Sequence, residues 1–376
     1  MNSTSFQVNT IQDLEQEILR TRENNFNPTL AILFGSVDCN LDAIPTIFNK
    51  YNIDLVGCSS SGEICQESFY EKGITGLLMD INRDFYQIRV EEKVQDRWYE
   101  VGKNLGKSGT DFCADPSYLT FFGMIASAEE IIKGINDSIG KQVNIFGGMA
   151  GDDFKMIQSY TFSNAGIYDN AVVSLIFNQD KVEMKGRALC GWETIGTTNT
   201  ITEAEGNIIY KINDETAVDA FERYFGSFHD NQEEVETVQV GVAQYPLQII
   251  RGNGTVLRAA LKINEDDQSI MMAGPIQTGD QFKFSVAPGF GIIEDTIKGF
   301  KEYQEDNPTT DAMILVSCKA RHMSLGPMVE EEIKGIQNLW NKPLIGFFAY
   351  GEVGVDAAGA CHFYNETCSL VLIREK

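Results

Sequence analysis

The chain has 376 residues, 43% of them hydrophobic and 22% charged, and a formal net charge of −24. That length predicts two domains, and an acidic chain without a basic stripe argues against a nucleic acid partner. The polar N-terminus and the absence of an apolar run of about eighteen residues predict a cytoplasmic protein without membrane insertion. The eight cysteines form no CxxC pair and are typical of reduced thiols.

The first half of the chain predicts two βαβ units. Each unit combines a short apolar run, a stretch of helical periodicity and a second apolar run, a pattern that favours a parallel strand pair. A helix is predicted over 11–23, and antiparallel strands are predicted between and after the units. The two units comprise, in order, Leu30–Phe34, 41–51 and 55–64, then Tyr118–Phe122, Ala128–Ile139 and 145–153.

A polar, acidic segment over 226–236 is the best linker in the sequence, and it predicts domains over 1–226 and 227–376. An alternating, strand-like stretch at 198–210 and a helix over 216–225 come before it. The second domain is predicted to open with strands, the first of them around 238–242, and to continue with a helix around 292–303. The third βαβ unit follows, with an apolar run at 313–316, a helix over Val329–Trp340 and a second run at 344–353.

One short phrase recurs at the end of each unit. Two apolar residues precede a glycine, which is Gly57, Gly147 or Gly346, and an acid stands six positions later as Glu63, Asp153 or Glu352. Repeats at fixed spacing indicate architecture first, and ligands of parallel sheets bind beyond the carboxyl ends of the strands. The sequence therefore predicts an α/β fold of two related domains, with mixed twisted sheets built on repeated βαβ units in a pseudo-twofold arrangement. The acids are predicted to line one cleft.

Motifs along nearly the whole chain resemble the FIST family (F-box and intracellular signal transduction proteins). Four resemble the family's C-terminal region, namely Val316-Ser-Cys-Lys-Ala-Arg321, Glu330-Glu-Glu332, Ile345-Gly-Phe-Phe-Ala-Tyr-Gly-Glu352 and Tyr364-Asn-Glu-Thr367. Three resemble its N-terminal region and read Val56-Gly-Cys-Ser-Ser-Ser-Gly-Glu63, Phe146-Gly-Gly-Met-Ala-Gly-Asp-Asp153 and Ile201-Thr-Glu-Ala-Glu-Gly-Asn-Ile-Ile209.

The resemblance implies a cytosolic sensory module that binds a small polar ligand, such as an amino acid, in a cleft and signals to a separate partner. A stand-alone member is similar to the haem-based nitric-oxide sensors of this family, which implies a histidine kinase in trans. Assembly into a homo-oligomer is a further alternative for the partner. The family commonly reads His-Asn-Gln-Thr near the C-terminus, where this chain has Tyr364-Asn-Glu-Thr367, and His362 lies two residues earlier on what would be the same strand face.

Eight residues are the candidate ligand contacts. The acids suit an amine or hydroxyls, and a guanidinium at a strand end can clamp a carboxylate through two parallel hydrogen bonds. Arg321 with Glu352 would then hold an α-amino acid, one group for each charge. The alternative for the acids is helix capping or solvent exposure, and for Arg321 a structural ion pair. The set is Cys58, Ser59, Glu63, Asp152, Asp153, Arg321, Tyr350 and Glu352.

Two further functions stay open. A non-covalent haem would need one axial ligand, for which His362, His322 and the poorer Tyr364 are candidates, whereas His229 falls in the predicted linker. No cofactor is certain, and the Cys and His spacings do not predict zinc or another metal. A thiol-dependent enzyme would act through Cys58 or Cys318, but the sequence has no nucleophile elbow and no phosphate-binding loop, so no catalytic residue is predicted.

Overall fold

The computed structural model describes residues 1–92, 97–124, 127–227, 245–251, 254–286, 289 and 291–376. The predicted strand at 238–242, His229 and most of the predicted linker lie outside these residues. Within the described ranges, no helix is long and apolar enough to cross a membrane.

Helices and strands alternate through the first half as the periodicities predict. Its helices are α1 (Ile11–Glu23), α2 (Ile44–Lys50), α3 (Trp98–Phe112), α4 (Ala128–Ile139) and α5 (Ala217–Phe225), with 3₁₀ turns at Leu41–Ala43 and Arg83–Phe85. Its strands are β1 (Ser3–Val8), β2 (Leu30–Gly35), β3 (Asp54–Ser59), β4 (Glu63–Cys65), β5 (Ser68–Tyr70), β6 (Ile74–Met79), β7 (Tyr86–Glu92), β8 (Pro116–Phe122), β9 (Ile145–Met149), β10 (Thr161–Ser163), β11 (Gly166–Tyr168), β12 (Ala171–Asn178), β13 (Val182–Leu189), β14 (Glu193–Glu205), β15 (Ile208–Ile212) and β16 (Glu215–Thr216).

The second half begins with strands and then returns to the βαβ pattern. Its helices are α6 (Gly291–Asp306), α7 (Lys319–Leu325) and α8 (Val329–Trp340), with a 3₁₀ turn at Gly326–Met328. Its strands are β17 (Leu247–Arg251), β18 (Gly254–Arg258), β19 (Ala260–Asn264), β20 (Ser269–Met272), β21 (Gln281–Val286), β22 (Ala312–Cys318), β23 (Leu344–Ala349), β24 (Glu352–Val355), β25 (Cys361–Tyr364) and β26 (Cys368–Glu375).

Three six-stranded sheets have the same strand order. They read β1-β6-β2-β3-β10-β11, β7-β12-β8-β9-β24-β25 and β13-β26-β22-β23-β4-β5. Each contains one parallel pair, formed by β2 with β3, β8 with β9, or β22 with β23. These pairs are the strands of the three predicted βαβ units, and every other pairing in the three sheets is antiparallel.

The units exchange hairpins in a cycle. The hairpin β4–β5 of the first unit pairs with β23 of the third, β24–β25 of the third pairs with β9 of the second, and β10–β11 of the second pairs with β3 of the first. Each unit therefore completes the sheet of another. This exchange brings the carboxyl ends of all three parallel pairs into contact with a neighbouring unit.

The mixed α/β class with sheets built on repeated βαβ units is confirmed. The predicted relation of two halves extends to three repeats, because the repeated unit is the βαβ motif with its exchanged hairpin. The boundary between 1–226 and 227–376 stays a prediction, and strands from both sides of it share two of the six-stranded sheets.

An eight-stranded antiparallel sheet is inserted into the third unit, between β13 and α6. Its order is β18-β17-β21-β14-β15-β20-β19, with β16 paired to β15. Helix α5 covers its core, and Phe221 packs edge-on against Phe284 with ring centroids 5.0 Å apart. The alternating stretch predicted at 198–210 falls on the later part of β14 and the first residues of β15 of this sheet.

The main core lies where the three six-stranded sheets meet. Phe34 of β2, Phe121 of β8 and Phe347 of β23 are fully buried and touch one another, with centroids 5.3, 4.3 and 6.0 Å apart. Burial of such rings supplies much of the hydrophobic stabilisation that joins the units.

The repeated glycines lie inside the strands β3, β9 and β23. A Cβ at Gly57, Gly147 or Gly346 would come within 2.0, 1.9 or 2.1 Å of the carbonyl oxygen of Leu33, Thr120 or Leu315 on the parallel neighbour. Only Gly147 of the three has a positive φ, of 129°. Close approach of two backbones therefore explains the repeat.

Candidate functional site

A cavity of about 390 Å³ lies at the junction of the second unit, the third unit and the inserted sheet. The second unit contributes residues from β9, α4 and the loop that follows β9. The third unit contributes the ends of β22 and β23 and the start of α7, and the inserted sheet contributes β20 and its neighbouring turns. Its volume is at the lower end of the range that holds drug-sized ligands.

The cavity wall is mostly apolar. Four methionine side chains line it, together with the ring of Phe154, and they are Met124, Met149, Met156 and Met272. Methionine is flexible and polarisable, so such a wall adapts to the shape of an apolar ligand.

Two polar side chains of the third unit stand out in this wall. Asn365 is 1% exposed, and neither its Nδ2 nor its Oδ1 has a hydrogen-bond partner in the described part of the protein. Lys319 is half-buried, and its Nζ lies 3.2 Å from Nδ1 of His322. A buried amide without partners is costly, because it has lost water and gained nothing in exchange.

The loop between β9 and β10 closes one side of the cavity. Asp152, which is 1% exposed, accepts hydrogen bonds from the backbone N–H groups of Met156, Ile157 and Gln158 at 3.0, 2.6 and 2.9 Å. The same carboxylate accepts a hydrogen bond from the hydroxyl of Tyr350, across from the third unit. These bonds hold a loop with a strained backbone, since φ is positive at Asp153, Phe154 and Met156.

The eight predicted ligand contacts have different positions relative to the cavity. Tyr350 is the one of the eight that lines the cavity in the described structure. Asp152 orders the loop. Ser59 joins that loop to the first unit, because its hydroxyl donates to the carbonyl of Gly151 at 2.6 Å and accepts from the N–H of Tyr160 at 2.8 Å.

The three repeated acids do not share one structural position. Glu63 lies opposite Phe347 and Glu352 opposite Gly148, both on the first strand of an exchanged hairpin. Thr161 occupies the matching position in the second unit, opposite Cys58. Asp153 belongs to the longer loop of that unit, so its equal spacing from the glycine does not reflect equal position.

Glu63, which is buried, and Asp153, which is half-buried, form one acidic pair whose charges act on Lys319. Ser60 donates to Glu63 at 2.5 Å and Ser36 donates to Asp153 at 2.7 Å. Burial raises the pKa of Glu63 to about 8, and the charge of Asp153 contributes in the same direction. Burial likewise raises the pKa of Asp153. The pair lies outside the cavity lining.

Glu352 lies in a second buried group, with Glu366 and Cys318. Thr367 donates to Glu352 through its hydroxyl at 2.8 Å and through its backbone N–H at 3.2 Å. Burial raises the pKa of Glu352 well above its usual value and that of Glu366 to about 8. The three acids that were predicted to line one cleft therefore fall into two separate groups, Glu63 with Asp153 and Glu352 with Glu366, and none of these carboxylates lines the cavity.

Arg321 is committed to a structural ion pair. Its guanidinium donates to both carboxylate oxygens of Glu332, at 3.1 and 2.5 Å, and also to the Thr296 hydroxyl at 2.9 Å and the Cys190 carbonyl at 2.5 Å. Both charged side chains are buried, with exposures of 0% and 1%. The predicted pairing of Arg321 with Glu352 around an amino acid is corrected, because these contacts occupy the guanidinium.

The candidate haem ligands lie apart from the cavity. His362 faces a separate, charged hollow of about 300 Å³, with Asp356 3.6 Å from its Nε2. His322 stacks on Phe348 with centroids 4.1 Å apart, and burial with the Lys319 charge lowers its pKa to about 4. Tyr364 packs in the core of the inserted sheet. These residues do not converge on a pocket that fits haem.

The thiols named for a catalytic role are buried. Burial raises the pKa of Cys58 and of Cys318 well above the usual value. An activated cysteine needs the opposite environment, exposed and electropositive. In the part of the chain that is described, no group of three or more His, Cys, Asp or Glu could hold a metal ion.

The sequence did not identify Asn365 or Lys319 as site residues. Asn365 directly follows Tyr364, the position at which this chain departs from the family's histidine. Lys319 lies two positions before Arg321. A strand end followed directly by lysine could have indicated a buried cation at the carboxyl edge. No sequence pattern indicated that the inserted sheet would form part of the cavity wall, because this antiparallel sheet packs there only through tertiary contacts.

The fold and cavity describe an α/β protein with room for a small molecule between three of its parts. The chain belongs to the FIST family, since the FIST N domain matches residues 29–215 and the FIST C domain matches residues 217–355. FIST domains are sensor domains of signal transduction and not typical enzymes, so the chain is a sensory module. No curated protein matches it. Similarity to haem-based nitric-oxide sensors stays a prediction.

Proposed function

We propose that this sensory module binds a small metabolite in the 390 Å³ cavity and passes the signal to a separate signalling protein, such as a histidine kinase. The observation that supports this most is the location of the cavity. Its wall is drawn from the second unit, the third unit and the inserted sheet, so an occupant contacts all three together.

The loop after β9 supplies a route from ligand to partner. Phe154 and Met156 line the cavity, while Ile157 in the same loop is 78% exposed. A ligand shifts an equilibrium only if it binds one arrangement better than the other. Contacts with these two side chains provide that preference, since the loop is strained and depends on Asp152 and Tyr350 from two different units.

Amino acids, the ligand class predicted from the sequence, are among the first compounds to test. A thermal-shift screen with metabolites, including amino acids, is expected to find compounds that raise the unfolding temperature. Ala320→Phe would fill part of the cavity and should abolish the shift, whereas Ala358→Phe on an exposed turn is the matched control. Hydrogen exchange of residues 152–158 should slow with the ligand bound.

The proposal fails if no metabolite stabilises the protein, or if a stabilising compound acts equally on Ala320→Phe. The haem alternative has its own measurement, the visible spectrum of protein expressed with haem available. A stoichiometric Soret band lost in His362→Ala would favour haem over the cavity ligand, and colourless protein would exclude it.

A further inference from the structure

The polar groups of the cavity wall set a requirement on the head group of the ligand. Asn365 offers two N–H donors and one acceptor, and its amide lies almost fully buried without a partner in the described structure. Native proteins satisfy buried amides, so an unpaired one at a cavity indicates a group that the ligand supplies.

The charge of the wall sets a second requirement. Among the described residues that line the cavity, Lys319 is the one that carries a charge, and aspartate and glutamate are absent. No carboxylate of the described chain lies within ion-pair distance of its Nζ, whose close polar contact is the ring nitrogen of His322. A positive group on a ligand would find no counter-ion in this wall, whereas a negative one would find Lys319.

The rest of the wall requires an apolar body. The four methionines, Phe154 and Pro275 offer no strong hydrogen-bonding side chain, Asn207 already donates to the carbonyl of Met272 at 2.9 Å, and the Tyr350 hydroxyl already donates to Asp152. Ser127 is the remaining hydroxyl among the described lining residues. A polar chain would lose its water in that region without replacement, while an apolar one gains from burial.

We infer that the ligand is a small carboxylate with an apolar body and no ammonium group, held at its head by Asn365 and Lys319. This inference rests on the proposed function and narrows it, because it separates simple carboxylic acids from the amino acids that share their skeletons. The carboxylate accepts from Nδ2 of Asn365 and from the ammonium of Lys319, and Oδ1 is left to accept from a hydroxyl or a water molecule.

Titration calorimetry with matched probes tests the inference. The carboxylates run from butanoate to decanoate and include 3-phenylpropanoate, whose skeleton recurs in phenylalanine and 2-phenylethylamine. At least one carboxylate should bind roughly tenfold more tightly than the matching amino acid and amine. Asn365→Leu and Lys319→Met should each weaken that carboxylate roughly tenfold, with Asn170→Leu and Lys107→Met as controls that leave it unchanged.

Two variants keep the test valid if one of them fails to fold, which circular dichroism and the unfolding temperature reveal. Tighter binding of the amine or the amino acid, or carboxylate binding that survives both variants, would overturn the inference and leave the proposed function standing. Absence of binding by every carboxylate also overturns it, while the metabolite screen with Ala320→Phe judges the proposed function separately.

Discussion

The buried ion pair of Arg321 and Glu332 allows a sharp test of the tertiary structure. Arg321→Met removes the charge and keeps most of the apolar stem. Glu332, 1% exposed, is then left as an uncompensated buried carboxylate. Breaking one side of such a pair costs about 3–5 kcal/mol of unfolding free energy. The Thr296 hydroxyl and the Cys190 carbonyl also lose their donor, and a lost buried hydrogen bond costs about 1 kcal/mol more.

The double variant Arg321→Met with Glu332→Leu separates the charge effect from packing. It removes both charges, so the unfolding free energy should recover most of the loss and leave about 1–2 kcal/mol from the unpaired acceptors. Urea unfolding followed by circular dichroism and by tryptophan fluorescence measures all three proteins. The control is Lys103→Met, which breaks an exposed pair with Glu100 at 3.1 Å and should cost less than about 1 kcal/mol.

The reasoning is refuted if Arg321→Met costs no more than the control, or if the double variant is less stable than the single one. The first outcome would mean that the guanidinium is free for a ligand. The second would mean that the pair contributes through geometry that apolar residues cannot replace.

Three further predictions follow from burial and backbone contact. Gly346→Ala would place a Cβ 2.1 Å from the Leu315 carbonyl and should cost at least about 3 kcal/mol of stability, whereas Gly291→Ala, with open space, should not, and equal unfolding temperatures would disprove the close approach. Because burial raises the pKa of Glu63 from 4.5 to about 8, the folded protein keeps a proton that the unfolded chain loses between those pH values. The unfolding free energy should therefore fall across this pH range by up to about 1.4 kcal/mol per pH unit. Glu63→Gln should flatten this dependence, and identical pH profiles of the two proteins would contradict it. Cys58 and Cys318 should resist iodoacetamide at neutral pH until urea unfolds the protein, and rapid labelling of either native thiol by mass spectrometry would support the thiol enzyme instead.

The local elements were readable from the sequence because their signals are local. Alternating and helical periodicities located the three βαβ units, and α1 and α5 begin and end within a residue of their predicted limits. The recurring glycine marked the place where two parallel backbones come closest, although its reason is contact with a carbonyl oxygen and only Gly147 adopts a positive φ.

Tertiary structure alone decided which unit each hairpin completes. The sequence of the hairpin β4–β5 does not indicate that it pairs with β23, about three quarters of the chain length away, because exposed strand edges are chemically alike. Tertiary packing also brings the Cys190 carbonyl and the Thr296 hydroxyl from distant segments to Arg321, and it leaves Asn365 unpaired at a cavity. The sequence by itself determined the repeated strand–helix–strand units and the family. The identity of the side chains that face a ligand depended on long-range packing, since burial and pairing are properties of neighbours distant in the chain.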